Sequence, residues 1–212
     1  MKQLIFAATL AAITMAMLGC GADPGGEFVN GDFTNNVAPI VGASGKITQA
    51  YGLFKQGNFT GAAQVFNQVL ADNPIASERA EALAGLGFSN VRLKGSSNGI
   101  ANFEEALKVD SRNADARVGL GGALISRGSS DDIRRAIDAL QGISPGNPEF
   151  RFVDQYGIGI ADAEVHALLA YALFVNGDRS ASASQAALAR SRDSATANTS
   201  VDQILKVLGF IP

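Results

Sequence analysis

The stretch LFKQGNFTGAAQVFNQVLADNP, residues 53–74, decides the fold, because it holds the end of one helix, a turn and a complete second helix. Gly57-Asn58 supplies the turn, and Asn73-Pro74 ends the second helix, since proline has no N–H to donate and disfavours helix in the residue before it. Between them, apolar residues recur at the spacing of one helical face, at Phe59, Ala62, Ala63, Phe66, Val69 and Leu70. The stretch therefore predicts a helical hairpin.

The same pattern returns three more times along the chain. Further hairpins are predicted from Leu83 to Leu107, from Leu120 to Leu140, and from His166 through ASASQAALARS, residues 181–191. A small residue late in each first helix lets a neighbouring helix approach closely, and these residues are Ala50, Gly87, Gly121 and Ala170. Phe66 and Phe103 of the second helices can fill the space beside them. Since one hairpin leaves an apolar face uncovered, successive hairpins are expected to stack.

These positions resemble the tetratricopeptide repeat, which places two antiparallel helices in about 34 residues. The sequence departs from the family in having no Trp anywhere, Val69 in place of an alanine, and Ser111 where a closing proline is expected. The resemblance implies an all-α, α–α solenoid of about four hairpins over residues 46–212, with residues 201–210 as a C-terminal capping helix. Residues 143–160 are expected to form a long loop or a short irregular helix. An ordinary all-α bundle is the alternative.

The beginning of the chain predicts export. Leu4 to Leu18 carries no charge and is shorter than the roughly 20 residues that span a bilayer. The residues MLGC, 17–20, resemble the bacterial lipoprotein signal. That resemblance implies a signal peptide at 1–19, lipidation of Cys20 and anchoring by acyl chains. A secretory signal with an incidental cysteine is the alternative. Residues 20–45, rich in Gly, Pro, Asn and Asp, are expected to be a flexible tether.

The residue after Cys20 and the net charge limit the compartment and the classes of partner that are expected. Gly21, not Asp, follows Cys20, which among lipoproteins implies the outer membrane facing the periplasm and leaves the inner membrane and cell surface open. The formal net charge is −3 and no basic block occurs, which argues against binding nucleic acid or an anionic lipid surface. With Cys20 lipidated, the mature protein has no thiol for a disulfide.

The sequence contains few residues suited to catalysis, metal binding or phosphate binding. GASGKIT, residues 42–48, fails as a phosphate-binding loop because two residues, not four, separate its glycines and Ile47 follows Lys46. The one histidine, His166, is predicted to be a packed or hydrogen-bonded residue, and a His/Cys metal site lacks ligands. Asp131-Asp132 after Ser129 is predicted to cap a helix. No enzyme activity, cofactor or metal is therefore predicted.

The inner surface of the solenoid is the predicted binding site. In tetratricopeptide proteins the first helix of each hairpin lines a concave groove, which the resemblance places on Ile47, Tyr51, Phe54, Lys55, Phe88, Val91, Arg92, Val118, Ile125, Tyr171 and Phe174. Such an apolar trough with cations at its edge suits an amphipathic helix or an extended peptide. The alternative is that several of these rings only pack between neighbouring repeats.

In size and layout the chain resembles the pilotin-type and tight-adherence pilus assembly tetratricopeptide lipoproteins. That resemblance implies a lipid-anchored scaffold that holds a protein or peptide partner during assembly of a pilus, secretion or outer-membrane complex. Two alternatives stay open: a lipoprotein that captures a glycan or peptide ligand, and a regulator of a periplasmic enzyme.

Overall fold

The computed structural model describes residues 42–194 and 199–211, and all regular structure in those ranges is helical. The described residues form nine α-helices and one 3-10 turn, Ser96–Asn98. The helices are α1 (Ala43–Lys55), α2 (Phe59–Ala71), α3 (Ala76–Lys94), α4 (Ile100–Val109), α5 (Ala114–Arg127), α6 (Ser130–Gln141), α7 (Asp162–Val175), α8 (Arg179–Arg192) and α9 (Ser200–Val207). The predicted signal peptide, Cys20 and tether residues 20–41 lie outside the described residues. Helix α1 begins at Ala43, so the predicted tether boundary at residue 45 is three residues too late.

The helices stack in sequence order as four hairpins. Each helix packs against the next one along the chain, and the first helices of successive hairpins also pack together, α1 on α3, α3 on α5 and α5 on α7. Helix α9 packs against α7 and α8, so it covers the end of the last hairpin. This arrangement confirms the α–α solenoid predicted from the repeating pattern, and it differs from an ordinary bundle because contacts run from one hairpin to the next.

The turns follow from local sequence. Gly57 and Gly177 have positive φ angles of 79° and 95°, a conformation that glycine adopts without a steric penalty. The residues that follow them, Asn58 and Asp178, accept N–H hydrogen bonds from the first turns of α2 and α8, each at 2.9 Å. The first and fourth hairpins therefore use the same turn chemistry.

The predicted cap at α6 is confirmed. The Ser129 hydroxyl accepts the N–H of Asp132 at 3.1 Å, and the Asp132 carboxylate accepts the N–H of Ser129 at 3.3 Å. Arg127 also pairs with this carboxylate, and its hydrogen bond holds the pKa of Asp132 well below the usual range.

Glycine and phenylalanine fit together at the junctions between helices. A Cβ on Gly85 would lie 2.1 Å from the ring of Phe66, so the ring lies directly on the backbone of the next hairpin. Phe103 occupies the equivalent place one hairpin later, where a Cβ on Gly119 would lie 2.3 Å from its ring. Both rings are fully buried. Gly85 and Gly119 are not among the predicted small positions. At the predicted Gly87 and Gly121, a Cβ would lie 2.6 Å from Phe103 and 2.7 Å from Leu140, so these positions also allow close helix approach.

Within residues 42–194 and 199–211, no helix combines the length and the apolar character needed to cross a membrane.

Candidate functional site

The residues predicted to line an open trough are mostly buried. Solvent reaches less than a tenth of the surface of Ile47, Tyr51, Phe54, Phe88, Val91, Val118, Ile125 and Tyr171. Lys55 is exposed, and Arg92 and Phe174 are half-buried. The expectation of an open trough is therefore wrong for the buried members of the set. Their role in binding a partner stays a prediction.

Some of the predicted trough residues are buried by neighbouring hairpins. The rings of Phe54 and Phe88 meet edge to face with centroids 6.4 Å apart, and Phe88 meets Phe103 in the same way at 4.9 Å. These contacts join α1, α3 and α4. For these two rings, the alternative of packing between repeats is the one that the structure supports.

The two half-buried members of the set take part in cation–π contacts. The Arg92 guanidinium lies 4.7 Å from the centroid of the Phe59 ring, and Arg179 lies 3.4 Å from that of Phe174. A guanidinium over a ring face is an attractive cation–π geometry. The first contact links Arg92 of α3 to α2 of the preceding hairpin, and the second links Phe174 of α7 to α8 of the same hairpin.

Another part of the predicted trough is covered by the chain itself. Residues 150–160, here called the groove segment, lie in the connection between α6 and α7 and contain no helix. The ring of Tyr156 stacks on Tyr51 of α1, with centroids 4.3 Å apart and planes 11° apart. Gly157 lies beside the Lys55 side chain. The segment therefore extends from the fourth hairpin to the first, across the face made by the first helices, which is here called the inner face. Of the two alternatives for residues 143–160, a long loop and a short irregular helix, the structure has the loop.

Side chains of the groove segment point inward and outward in turn. Phe150, Phe152, Ile158 and Ile160 are buried and belong to the same apolar cluster as Tyr51, Val118 and Ile125. The odd-numbered residues of 151–159 are exposed, Val153 by 75%, whereas Asp154 and Tyr156 are half-buried. Sequence reasoning missed this segment. Its signal was the period of two in FRFVDQYGIGI, which is typical of an extended chain with one buried face.

The start of the groove segment is anchored on α7 and α8 by a polar cluster. The Nδ1 atom of His166 lies 2.5 Å from Oε1 of Gln185, whose Nε2 donates to the carbonyl of Pro148 at 2.9 Å. Arg192 contacts Nε2 of His166 and donates to the carbonyl of Phe150 at 2.6 Å. The ring of Phe150 also stacks on His166. His166 is therefore the packed, hydrogen-bonded residue that the sequence predicted.

Asp162 completes this anchor at the first turn of α7. Its Oδ1 atom accepts the N–H of Phe152 at 2.7 Å, while Oδ2 accepts from Arg192 at 3.1 Å. A carboxylate at a helix N-terminus is also stabilised by the helix dipole. Side chains of two helices thus hold the backbone at residues 148–152 by several hydrogen bonds, which fixes the start of the groove segment on the inner face.

A group of acids lies beneath the middle of the groove segment. The hydroxyl of Tyr51 donates to Oε1 of Glu81 at 2.5 Å, and Nδ2 of Asn113 donates to Oε2 at 3.0 Å. The carboxyl of Asp115, which is 7% exposed, interacts electrostatically with Glu81, and this interaction raises the pKa of Asp115. The stacked ring of Tyr156 therefore lies over a chain of contacts that runs from α1 through α3 to the start of α5.

The chemistry available to these groups is limited. No set of His, Cys, Asp and Glu side chains within the described ranges has the arrangement of a metal site. The imidazole of His166 is fully buried and both of its nitrogens are engaged. What the arrangement can do is bind an extended chain, because a run of alternating side chains already inserts into the inner face.

A tetratricopeptide repeat family model matches residues 47–96 and 91–148. Comparison with curated proteins gives no match. The matched residues cover the first three hairpins, and α7 and α8 continue the same helical arrangement beyond them. Residues 47–148 therefore carry tetratricopeptide repeats. Such repeats are typically protein-interaction scaffolds without catalytic activity, and they bind through extended concave surfaces.

Proposed function

From the tetratricopeptide repeats of residues 47–148, we propose that this protein is a lipid-anchored, non-enzymatic scaffold that binds an extended segment of a partner protein on its inner face. The proposal places the protein in the cell envelope, at the outer membrane facing the periplasm. There it would hold its partner during assembly of a pilus, secretion or outer-membrane complex.

The single observation that carries the proposal is the groove segment. It inserts alternate side chains into the inner face and stacks Tyr156 on Tyr51, so this face has the shape and apolar character to accept a chain without regular structure. A partner chain would take this place by displacing the groove segment. The segment is part of the same molecule and competes at high effective concentration, so a partner binds more strongly when the segment is loosened.

The proposed binding site is tested by site-specific photocrosslinking in isolated envelope membranes. A photoreactive residue replaces exposed Lys55, beside the groove segment, and in a second protein replaces exposed Gln68 on α2 as a control. We expect an adduct with a partner protein from position 55 and none from position 68. Adding Tyr156→Ala should raise the adduct yield at least about tenfold, because removal of the stacked ring weakens the competing segment.

A competing peptide makes the crosslinking test specific for the inner face. Excess peptide of sequence EFRFVDQYGIGIA, residues 149–161, should abolish the adduct, whereas the same peptide with Ala in place of Tyr156 should not. An adduct that forms equally from both positions, or that survives excess peptide, would contradict binding on the inner face.

The proposed lipid anchor makes a separate prediction. Cys20→Ser should move the protein from the membrane fraction to the soluble periplasmic fraction, because each buried CH₂ of an acyl chain contributes about 0.8 kcal/mol to membrane binding. Fractionation followed by immunoblotting measures the shift, and intact mass shows the acyl chains on the parent protein. Thr34→Ser, which leaves MLGC unchanged, is the control. Membrane retention of the Cys20→Ser protein would discard the anchor.

A further inference from the structure

Three carboxyl groups interact electrostatically where the groove segment crosses the inner face. Glu81 comes from α3, Asp115 from α5 and Asp154 from the groove segment itself. Within the described residues, none of the three takes part in an ion pair with Lys, Arg or His. A buried carboxylate without a cation is costly, and two neighbouring carboxylates repel each other. Charge at this point therefore opposes the docked position of the segment.

Burial favours a proton within the pair. Asp115 is 7% exposed and has no cation partner among the described residues, and the neighbouring charge of Glu81 raises its pKa. Tyr51 and Asn113 already donate to the two oxygens of Glu81. The proton held by the pair is additional to these two hydrogen bonds and belongs to one of the two carboxyls.

We propose that the Glu81–Asp115 pair is a proton-dependent switch for the groove segment: the pair keeps the segment docked while it holds a proton, and loss of that proton releases the segment. The proposal rests on the proposed function for its consequence, because release would open the inner face to a partner chain.

The docked segment is connected to the pair through Tyr51. Tyr156 stacks on Tyr51, and Tyr51 donates to Glu81, so the ring that docks the segment lies one residue away from the pair. Asp154 adds a like charge from the segment side while its own oxygens accept the N–H groups of Ile158 and Gly159 at 2.8 and 2.9 Å. Ionising the pair would thus place a new negative charge beside Asp154, in a covered site.

Most charged and titratable groups around the pair favour its protonated form, whereas hydrogen bonds from Tyr51 and Asn113 lower the pKa of Glu81. Burial raises the pKa of Asp115 to about 8, and the charges of Glu81 and Asp154 act in the same direction. Burial also raises the pKa of Glu81, with a further contribution from Asp110. The tyrosines that face the pair stay neutral, because burial raises the pKa of Tyr51 further and that of Tyr156 to about 12.

These directions fix the sign of the pH dependence. The docked state holds its proton up to about pH 8, whereas a carboxyl in water releases it at about pH 4. Docking is therefore fully favoured at the acidic end of this range and weakens as the pH rises. The ratio of docked to released molecules falls by up to about tenfold per pH unit, and the fall ends above about pH 8.

A tryptophan at the docking point measures the switch directly. The chain contains no Trp, so full-length protein carrying Tyr156→Trp has one indole, located against Tyr51. Its emission should report a buried indole at about pH 6 and a solvated indole at about pH 9, with at least about a tenfold fall in the docked-to-released ratio. Hydrogen exchange of residues 152–160 in the parent protein, corrected for intrinsic rates, checks the result without the substitution.

Neutral substitutions separate the pair from general effects of pH. In the Tyr156→Trp background, Asp115→Asn should keep the segment docked at both pH values, because an amide cannot ionise. Asp138→Asn, an exposed substitution on α6, should retain the pH response of the parent. Far-UV circular dichroism should stay constant throughout. A docking signal that does not change with pH, an unchanged response in Asp115→Asn, or loss of helix together with the indole signal would each overturn the proposal.

The assay contains no partner, so its outcome is independent of the crosslinking test of the proposed function. A pH-insensitive segment would still permit partner binding at the inner face, and a working switch would stand even if no partner were captured there.

Discussion

We expect Phe54→Glu combined with Phe88→Glu to unfold the protein. The sequence alone suggested that these rings face an open groove, so that charge would abolish partner binding while leaving the fold intact. The structure reverses that expectation, because Phe54 is 7% and Phe88 2% exposed, and both lie in edge-to-face contacts between hairpins. Burying an unpaired carboxylate costs several kcal/mol, which for two sites is comparable with the total stability of about 5–15 kcal/mol of a typical domain.

Far-UV circular dichroism and urea titration measure this effect. Because an unfolded double variant has no midpoint to compare, Phe88→Ala provides a graded measurement, with an expected loss of about 3–5 kcal/mol. Ile75→Glu is the matched control, since Ile75 is 67% exposed at the start of α3, and its midpoint should change little. Native helical content and an unchanged midpoint in the double variant would show that the two rings lie on an open surface.

Two glycines on α5 should respond to alanine with opposite signs. A Cβ on Gly119 would lie 2.3 and 2.4 Å from ring atoms of Phe103, whereas a Cβ on Gly122 would meet nothing within 4 Å. Gly122→Ala should stabilise the fold by about 0.5–1 kcal/mol, because glycine loses more backbone freedom than alanine when the unfolded chain forms a helix. Gly119→Ala gains the same entropic stabilisation but forces the buried Phe103 ring to move. Overpacking of this kind costs about 1–3 kcal/mol.

A second-site substitution identifies the cause of the Gly119 effect. In a background of Phe103→Leu, where the ring is gone, Gly119→Ala should cost less than it does in the parent protein. Residues in contact show such non-additivity, commonly by 0.5–3 kcal/mol, so the coupling energy is roughly that large. Urea midpoints of the four proteins give this energy. Equal effects of Gly119→Ala in both backgrounds would place the conflict somewhere other than Phe103.

The helices and their stacking order could be predicted from the sequence. Apolar spacing is a local property, and residues such as Phe59 and Phe66 define a face that only a neighbouring helix can cover. Glycine turns and the Ser129–Asp132 cap are equally local, since the residues that form each hydrogen bond are a few positions apart. The positions of Gly87 and Gly121 also predicted close helix contacts. Phe103 and Leu140 make these contacts.

Whether the inner face is open or covered could not be predicted from local sequence patterns. Helix periodicity places Tyr51 and Val118 on first helices but does not say what covers them. Tyr156 lies more than 100 positions from Tyr51 in the chain, and no local rule links the two residues. The alternation in FRFVDQYGIGI indicates one buried face for an extended segment, but the residues that cover that face are brought together only by the packing of the hairpins.

The sequence by itself determined the helices, their turns and their stacking into tetratricopeptide hairpins, because each of these depends on residues close together in the chain or repeated at a fixed period. Only the tertiary structure decided that the inner face is covered, and that the charges of Glu81 and Asp154 act on the buried Asp115. Burial and charge repulsion act through space, so the ionisation of these acids depends on the folded arrangement and not on their positions in the sequence.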